Sequence, residues 1–330
     1  MGEGQTSGAL AAGPIGLGAV AEAMRPGHWI KNAFVAAPLL FSGRFTDAAS
    51  WALCLGAVAA FCLLSSAVYL LNDVCDRGRD RHHPVKRRRA VASGRLTPAG
   101  ALGAAAVLLV GGFAIIAALE VAVRGRAKLL GGLALLTWTG AYLLLNVLYS
   151  LWLKDKAVVD VLVVALGFVL RAMAGAAAIV VPVSPWLVVC TFSLCLFIAV
   201  AKRRSEIAEL PAGESGAARA VNRAYDAAQL GFMLTVSTAM ALFTYTIYCL
   251  APQTIQRIGS AHMVWTVPVV VYGMFRYHHI TRAAGPSDPV RVLLRDRVMW
   301  LVLGVYVAMS AVIVKFGGHA AVRDILGAGQ

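Results

Sequence analysis

Charge is what this chain has little of. Asp, Glu, Lys and Arg make up 14% of its 330 residues, against about a quarter in an ordinary soluble domain. Acidic residues are the scarcer sign, 16 against 30 Lys and Arg. The six cysteines show no CxxC spacing and five of them fall in apolar runs, which supports neither a zinc site nor a disulfide framework. No basic segment precedes an apolar core in the N-terminal "MGEGQTSGALAAGPIGLGAVAEAM", so it reads as a loose tail over 1–24 and not as a cleaved signal peptide. The net charge of +14 comes without any RNA- or DNA-binding motif, so no nucleic-acid partner is expected.

What is present is hydrocarbon: 59% of the residues are hydrophobic. Apolar runs of roughly 18 residues or more recur, a length that matches the bilayer core. The expected fold class is therefore all-α, a polytopic membrane protein. Nine helices can be drawn, over 29–44, 51–71, 98–122, 128–149, 157–181, 185–201, 227–250, 262–280 and 297–316. They form one membrane domain over 25–317, with a tail at 318–330.

The loops alternate in character. Most of the Lys and Arg fall on one set: the flank holding Arg25 and Lys31, then 72–97, 150–156, 202–226 and 276–297. The links around 45–50, 182–184 and 251–261 are mostly neutral, while "RGRAK" at 124–128 is a basic exception. The positive-inside bias puts the basic set in the cytoplasm. An odd number of spans then leaves the C-terminus outside. Attraction to anionic head groups accounts for much of the remaining basic excess.

One stretch stands against the general poverty of acids. "NDVCDRGRDRHHP", 72–84, follows directly on the apolar "AVAAFCLLSSAVYLL". Asp73, Asp76 and Asp80 are spaced i, i+3, i+7, within about 60° on a helical surface. Three carboxylates on one face repel unless a cation sits among them. Mg²⁺ suits them because it takes carboxylates together with phosphate oxygens, and Asn72 adds a neutral oxygen. A solvated helix end balanced by Arg77, Arg79 and Arg81 would read the same way. Lys86, Arg87, Arg88 and Arg89 follow at once, a density of cations that fits a polyphosphate as well as a membrane anchor. His82 and His83 read as loop residues.

Three further stretches bring chemistry to the same surface. "YSLWLKDKAVVD" supplies Tyr149, Lys154, Lys156 and Asp160 through a very short loop. Arg171 lies well inside a span, eleven residues from Asp160 and nearly on its face. A buried Arg marks a functional site or an ion pair within the bundle. Ala172, Ala174, Gly175 and Ala176 beside it permit close helix packing. In "AKRRSEIAEL", Lys202 or Arg203 can pair with Glu206. In "RPGHWIKN", Lys31 stands beside Trp29, which an aromatic belt explains.

Taken together these segments resemble a known family. "NDVCDRGRD" fits the NDxxDxxxD motif of the UbiA superfamily of intramembrane prenyltransferases. With "RPGHWIKN", "LYSLWLKDKAVVDVLVVALGFVLRAMAGA", "AKRRSEIAEL", "VPVVVYGMFRYHHI" and "DPVRVLLRDR", the resemblance is closer to the branch that transfers phosphoribose to decaprenyl phosphate. It covers about 25 to 300. Two departures are visible. The second Asp-rich motif of the aromatic prenyltransferases is missing from 202–226, where Asp226 is the one aspartate. Ala90 stands where the phosphoribosyl branch favours proline.

The resemblance implies a nine-helix UbiA bundle with a cytoplasm-facing site in the plasma membrane. It implies Mg²⁺-dependent transfer of 5-phosphoribose from phosphoribosyl diphosphate to a polyprenyl phosphate, in the synthesis of cell-wall arabinan precursors. Asp73, Asp76 and Asp80 would carry the metal. Lys154, Tyr149, Lys202 and Arg203 would meet the diphosphate or the 5-phosphate, with Lys86 and Arg87 further candidates. Arg171 or Lys31 would meet the lipid phosphate. A prenyltransferase using a prenyl diphosphate and a small acceptor is the enzymatic alternative, and a transporter lined by Asp160 and Arg171 the non-enzymatic one. A homo-oligomer is compatible with these residues.

Overall fold

The computed structural model describes residues 16–83, 85–123, 134–208, 224–283 and 295–316. All regular structure in them is helical. Helices α1 (Leu17–Ala23), α2 (Ala33–Phe41), α3 (Ala48–Cys75) and α4 (Arg77–Arg81) are followed by α5 (Pro98–Val123), α6 (Ala134–Leu151), α7 (Val159–Ala178) and α8 (Pro185–Ala208). The last four are α9 (Ala227–Leu250), α10 (Pro252–Ile258), α11 (Val267–Ala283) and α12 (Arg297–Phe316). Neighbours in sequence are neighbours in space, and α12 returns to pack on α2, which closes the bundle. A second set of contacts, α2 with α7, runs through its middle.

The described residues hold fewer clear spans than the nine expected. Seven described helices are long and apolar enough to cross a bilayer, or eight if a bent pair is one span. The first expected span, 29–44, is instead a 3-10 stretch, Pro26–Asn32, followed by the nine-residue α2. Nine residues rise about 14 Å, well short of the bilayer core. The backbone passes directly from the 3-10 stretch into α2, with Pro26 at the start of the one and Pro38 inside the other. The span expected at 262–280 belongs to the bent pair Pro252–Ile258 and His262–Arg282, which meet at 99°. Without an odd count, the placement of the C-terminus no longer follows. Part of the tail expected over 1–24 is ordered: α1 buries Ala23, and Glu22 forms a two-pronged ion pair with Arg95 (2.6 and 2.8 Å). Residues 1–15, "RGRAK" and the tail at 318–330 lie outside the described residues.

Local chemistry places the long helices. Asp47 caps α3, accepting from the Ala49 and Ser50 amides and from the Ser50 hydroxyl. One core gathers Phe61 and Leu64 of α3, Ile116 of α5, Tyr142 of α6 and Ala174 and Ala178 of α7. A second gathers Val161, Phe197, Leu230, Leu234, Met274 and Tyr277 from α7, α8, α9 and α11. Outward, Val107, Val110, Phe232, Phe243 and Leu301 are exposed, as lipid-facing side chains are. Gly175 is where α7 meets α2 backbone to backbone. A Cβ there would lie 1.8 Å from the Val35 carbonyl oxygen, so only glycine fits this crossing.

Candidate active site

At the charged end, a cavity opens between α3, α6, α7 and α8 and the segment before α2. Its atom-free space, mouth included, is about 1220 Å³. Of the residues singled out from sequence, Lys31, Asn72, Asp76, Lys86, Tyr149, Asp160, Arg171, Lys202 and Arg203 line it. Arg87 is exposed on the short Lys86–Arg88 turn and is not part of the wall.

Asp73, Asp76 and Asp80 are all buried. Helix α3 ends between the first two, and α4 begins after Asp76, yet the i→i−4 hydrogen bonds from Asp76 and Asp80 carry through the junction (both 2.8 Å). The three therefore keep to one end of one helical path, as their spacing predicts. Cations from elsewhere in the chain reach them. Arg89 reaches both Asp73 (3.3 Å) and Asp80 (2.7 Å), Arg25 also pairs with Asp73, and Lys154 takes Asp76 at 2.6 Å. Arg79 instead forks onto Asp155 (3.0 and 3.2 Å), and Arg81 donates to the Ala92 carbonyl. Consecutive residues of the α6–α7 connection, Lys154 and Asp155, thus clasp the acidic motif from across the mouth.

Among the described residues no three His, Cys, Asp or Glu groups converge on one point at metal distance. The donor chemistry fits a hard divalent cation all the same. One guanidinium nitrogen of Arg89 touches two carboxylates at once, so Asp73 and Asp80 already share a single positive centre, with Asp76 facing the cavity beside them. His82 is exposed and bonded to Gly78; His83 accepts from the Val85 and Lys86 amides. Neither reaches the aspartates by any of these contacts.

Asp160 and Arg171 do not pair. Asp160, fully buried in the first turn of α7, is bonded to Arg203 and accepts from the Tyr225 hydroxyl at 2.6 Å. Arg203 also takes Glu206 at 2.6 Å, and Lys202 approaches Glu206 at 3.7 Å. Arg171 sits about three turns deeper in the wall, buried, and its bonds go to neutral acceptors. These are the Asn32 amide oxygen (3.0 Å), the Gly167 carbonyl (3.1 Å) and the Tyr142 hydroxyl (2.9 Å). Its guanidinium also lies over the Tyr142 and Phe168 rings. No carboxylate pairs with it among the described residues, so the inner end of the cavity carries an uncompensated positive charge.

Asn32, Tyr142 and Tyr225 are site residues that sequence reading passed over, since neutral side chains in apolar runs give no pattern. Arg25 was visible only as a topological charge, and Arg89 as one of a cationic run suited to a polyphosphate, not as the partner of Asp73 and Asp80. Trp29, read as belt, turns its indole N–H inward to Ser66 (3.0 Å), whose hydroxyl lies 3.1 Å from the Met24 carbonyl. That ties the segment carrying Arg25 and Lys31 to α3. Asp226 caps α9 through the Gln229 amide (2.6 Å). At Ala90 the missing proline changes little locally: Arg89 already holds the extended φ −58, ψ 147 that a following proline demands.

Comparison with known proteins agrees with this architecture. The UbiA prenyltransferase family model matches residues 33–304. The decaprenyl-phosphate phosphoribosyltransferase of Mycobacterium tuberculosis (strain CDC 1551 / Oshkosh) is 32% identical over 90% of this chain and 95% of its own. That of Corynebacterium glutamicum is 32% identical over 84% of this chain and 81% of its own. In fold, a UbiA homologue from Archaeoglobus fulgidus, solved with GPP and Mg²⁺ bound, superposes with a TM-score of 0.66. It covers 90% of this chain and 99% of its own at 15% identity. A multi-pass helical bundle, a polar cavity at its charged end and these matches lead to one conclusion: the chain belongs to the UbiA prenyltransferase family, a family of membrane-embedded transferases.

Proposed function

We propose that this protein transfers 5-phosphoribose from phosphoribosyl diphosphate to a polyprenyl phosphate of the decaprenyl type, releasing diphosphate. The observation that carries the reading is the charge layout of the cavity. Asp76, Arg25, Lys86 and Arg89 line its mouth, Asp76 pairing with Lys154 while Asp73 and Asp80 are buried in ion pairs with Arg25 and Arg89, and its depth holds Arg171 with no acidic partner among the described residues. A donor with a diphosphate and a further phosphate suits the mouth, and a single lipid phosphate suits the depth. The names of the mycobacterial and corynebacterial relatives support the same substrates. The cations in the last turns of α8 speak against a donor held by two acidic motifs, since Lys202 and Arg203 face the cavity and Asp226 is spent on a helix cap.

In this reading the bond between ribose C1 and the diphosphate breaks and one from C1 to a lipid phosphate oxygen forms. Mg²⁺, held by Asp73, Asp76 and Asp80, would supply neutralising charge for the departing diphosphate. Lys154, Lys202 and Arg203, with Tyr149, hold the donor's phosphates, and Lys86 reaches the remaining one. Arg171, with Lys31 nearer the mouth, orients the acceptor phosphate, which is already an anion and needs no strong base. Positioning and preorganised charge carry the rate. The basic loops favour a cytoplasmic site in the plasma membrane, and the product would serve cell-wall arabinan synthesis.

The test uses membranes containing the protein, labelled phosphoribosyl diphosphate, Mg²⁺ and polyprenyl phosphate. Label should enter the lipid fraction, and Asp73→Asn should abolish it. If label enters only from a prenyl diphosphate onto a small acceptor, the prenyltransferase alternative replaces this reading.

A further inference from the structure

The start of α7 is held in an uncommon backbone shape. Val158 has φ 67 and ψ −47, and the Val159 amide bonds back to the Ala157 carbonyl at 2.8 Å. This is a γ-turn of the rarer, positive-φ kind, strained for any L-residue and more so for a β-branched one. The Val158 side chain is exposed, so packing does not impose the shape. What meets its backbone is Tyr225, from the segment leading into α9. The buried Tyr225 hydroxyl accepts from the Val158 amide at 2.7 Å and donates to Asp160 Oδ1 at 2.6 Å. Asp160 in turn holds Arg203, and both line the cavity that Tyr225 does not itself enter.

We propose that Tyr225 is a positioning residue: by locking the Val158 turn and the Asp160 carboxylate, it aims Arg203 at the diphosphate end of the donor. The inference deepens the function proposed above and rests on it. Strain kept at a functional site and held by one hydroxyl is a means of preorganisation. Without the hydroxyl, Val158 relaxes towards negative φ, the first turn of α7 shifts, and Arg203 loses its bearing. The depth around Arg171, about three turns further along α7, is untouched.

The experiment compares steady-state transfer by the full-length protein in nanodiscs with that of Tyr225→Phe. The donor KM should rise about tenfold, the cost of one hydrogen bond to a charged group. The lipid KM and kcat should stay within about twofold. Val158→Gly added to Tyr225→Phe should restore most of the donor KM, because glycine adopts positive φ without strain. An unchanged donor KM in Tyr225→Phe overturns the proposal. So does a loss confined to thermal stability and kcat, or a double variant that recovers nothing. If Tyr225→Phe alone fails to fold, the double variant is compared with Val158→Gly alone. A donor KM within about threefold then supports the proposal and a tenfold gap overturns it. Should the unmodified protein transfer no phosphoribose at all, the function proposed above fails separately. The same comparisons are then read as the Kd for inorganic diphosphate, with the same tenfold expectation and the same overturning results.

Discussion

Lys154 Nζ stands 2.6 Å from Asp76 Oδ1, joining residues 78 apart in sequence, with both side chains buried. A buried pair of this kind costs more to break than it contributes when intact. Lys154→Met alone should destabilise the protein by about 3–5 kcal/mol, because Asp76 is left without its closest cation. Lys154→Met with Asp76→Leu should recover much of that loss while remaining inactive. Breaking the exposed Arg79–Asp155 fork nearby should change stability by no more than about 1 kcal/mol. Thermal unfolding of the detergent-solubilised variants, side by side, checks the contrast.

Arg171 gives the opposite balance between stability and activity. Its charge lies in the bundle with only neutral partners among the described residues, so it is costly in the empty protein. Arg171→Met should leave the melting temperature unchanged or raised, yet abolish transfer. Arg171→Lys keeps the charge but not the three-way fork, and should raise the lipid KM by tenfold or more, about 1.4 kcal/mol. A destabilised, active Arg171→Met variant would contradict this account of the cavity floor.

Cys75 offers a direct reading of orientation. It is the exposed member of the six free cysteines and sits between Asp73 and Asp76 at the charged end. A membrane-impermeant maleimide should label inside-out vesicles at one site and leave right-side-out vesicles unlabelled. Donor with Mg²⁺ should slow the labelling. The Cys75→Ser variant should take up almost none, since the other five are buried or half-buried.

Acid should loosen α1 before it melts the bundle. The hydrogen bond from Arg95 holds the Glu22 carboxyl below its ordinary value of 4.5, with slight burial working against it. A depressed carboxyl contributes stability above its unfolded pKa and loses it as pH falls through the lower folded value. Protection of the Leu17–Ala23 amides against hydrogen exchange, relative to the intrinsic rate at each pH, should therefore fall below pH 4.5. In Arg95→Ala it should already be low at neutral pH.

How far the molecule was legible from sequence depended on whether a residue's role was periodic or three-dimensional. The Asp73, Asp76 and Asp80 spacing specified a shared helical path because the pitch of a helix is fixed, and the structure keeps that path through the α3–α4 junction. The long apolar helices were equally plain. The first span was misread because hydropathy does not register where a helix tightens into a 3-10 turn or how soon it ends. The expected face shared by Asp160 and Arg171 was geometrically sound, but Arg203 arrives from another helix and takes the carboxylate. Tyr142, Asn32 and Tyr225 could not be read at all: their roles come from what lies across the bundle, and each looks like an ordinary residue of an apolar or loop segment.

Gly175 gives the cavity floor its gauge. It stands one turn beyond Arg171, and the Val35 carbonyl it touches stands three residues beyond Asn32. The reach from Arg171 to Asn32 is therefore set by two main chains in contact, not by adjustable side chains. Gly175→Ala should cost about 1–3 kcal/mol or more from overpacking, whereas Gly140→Ala, with open space around it, should be neutral or mildly stabilising. Any Gly175→Ala protein that still folds should have its two helices prised apart at that crossing. It would then hold the acceptor's phosphate in a wider jaw, and a glycine outside the wall would set how tightly the lipid is gripped.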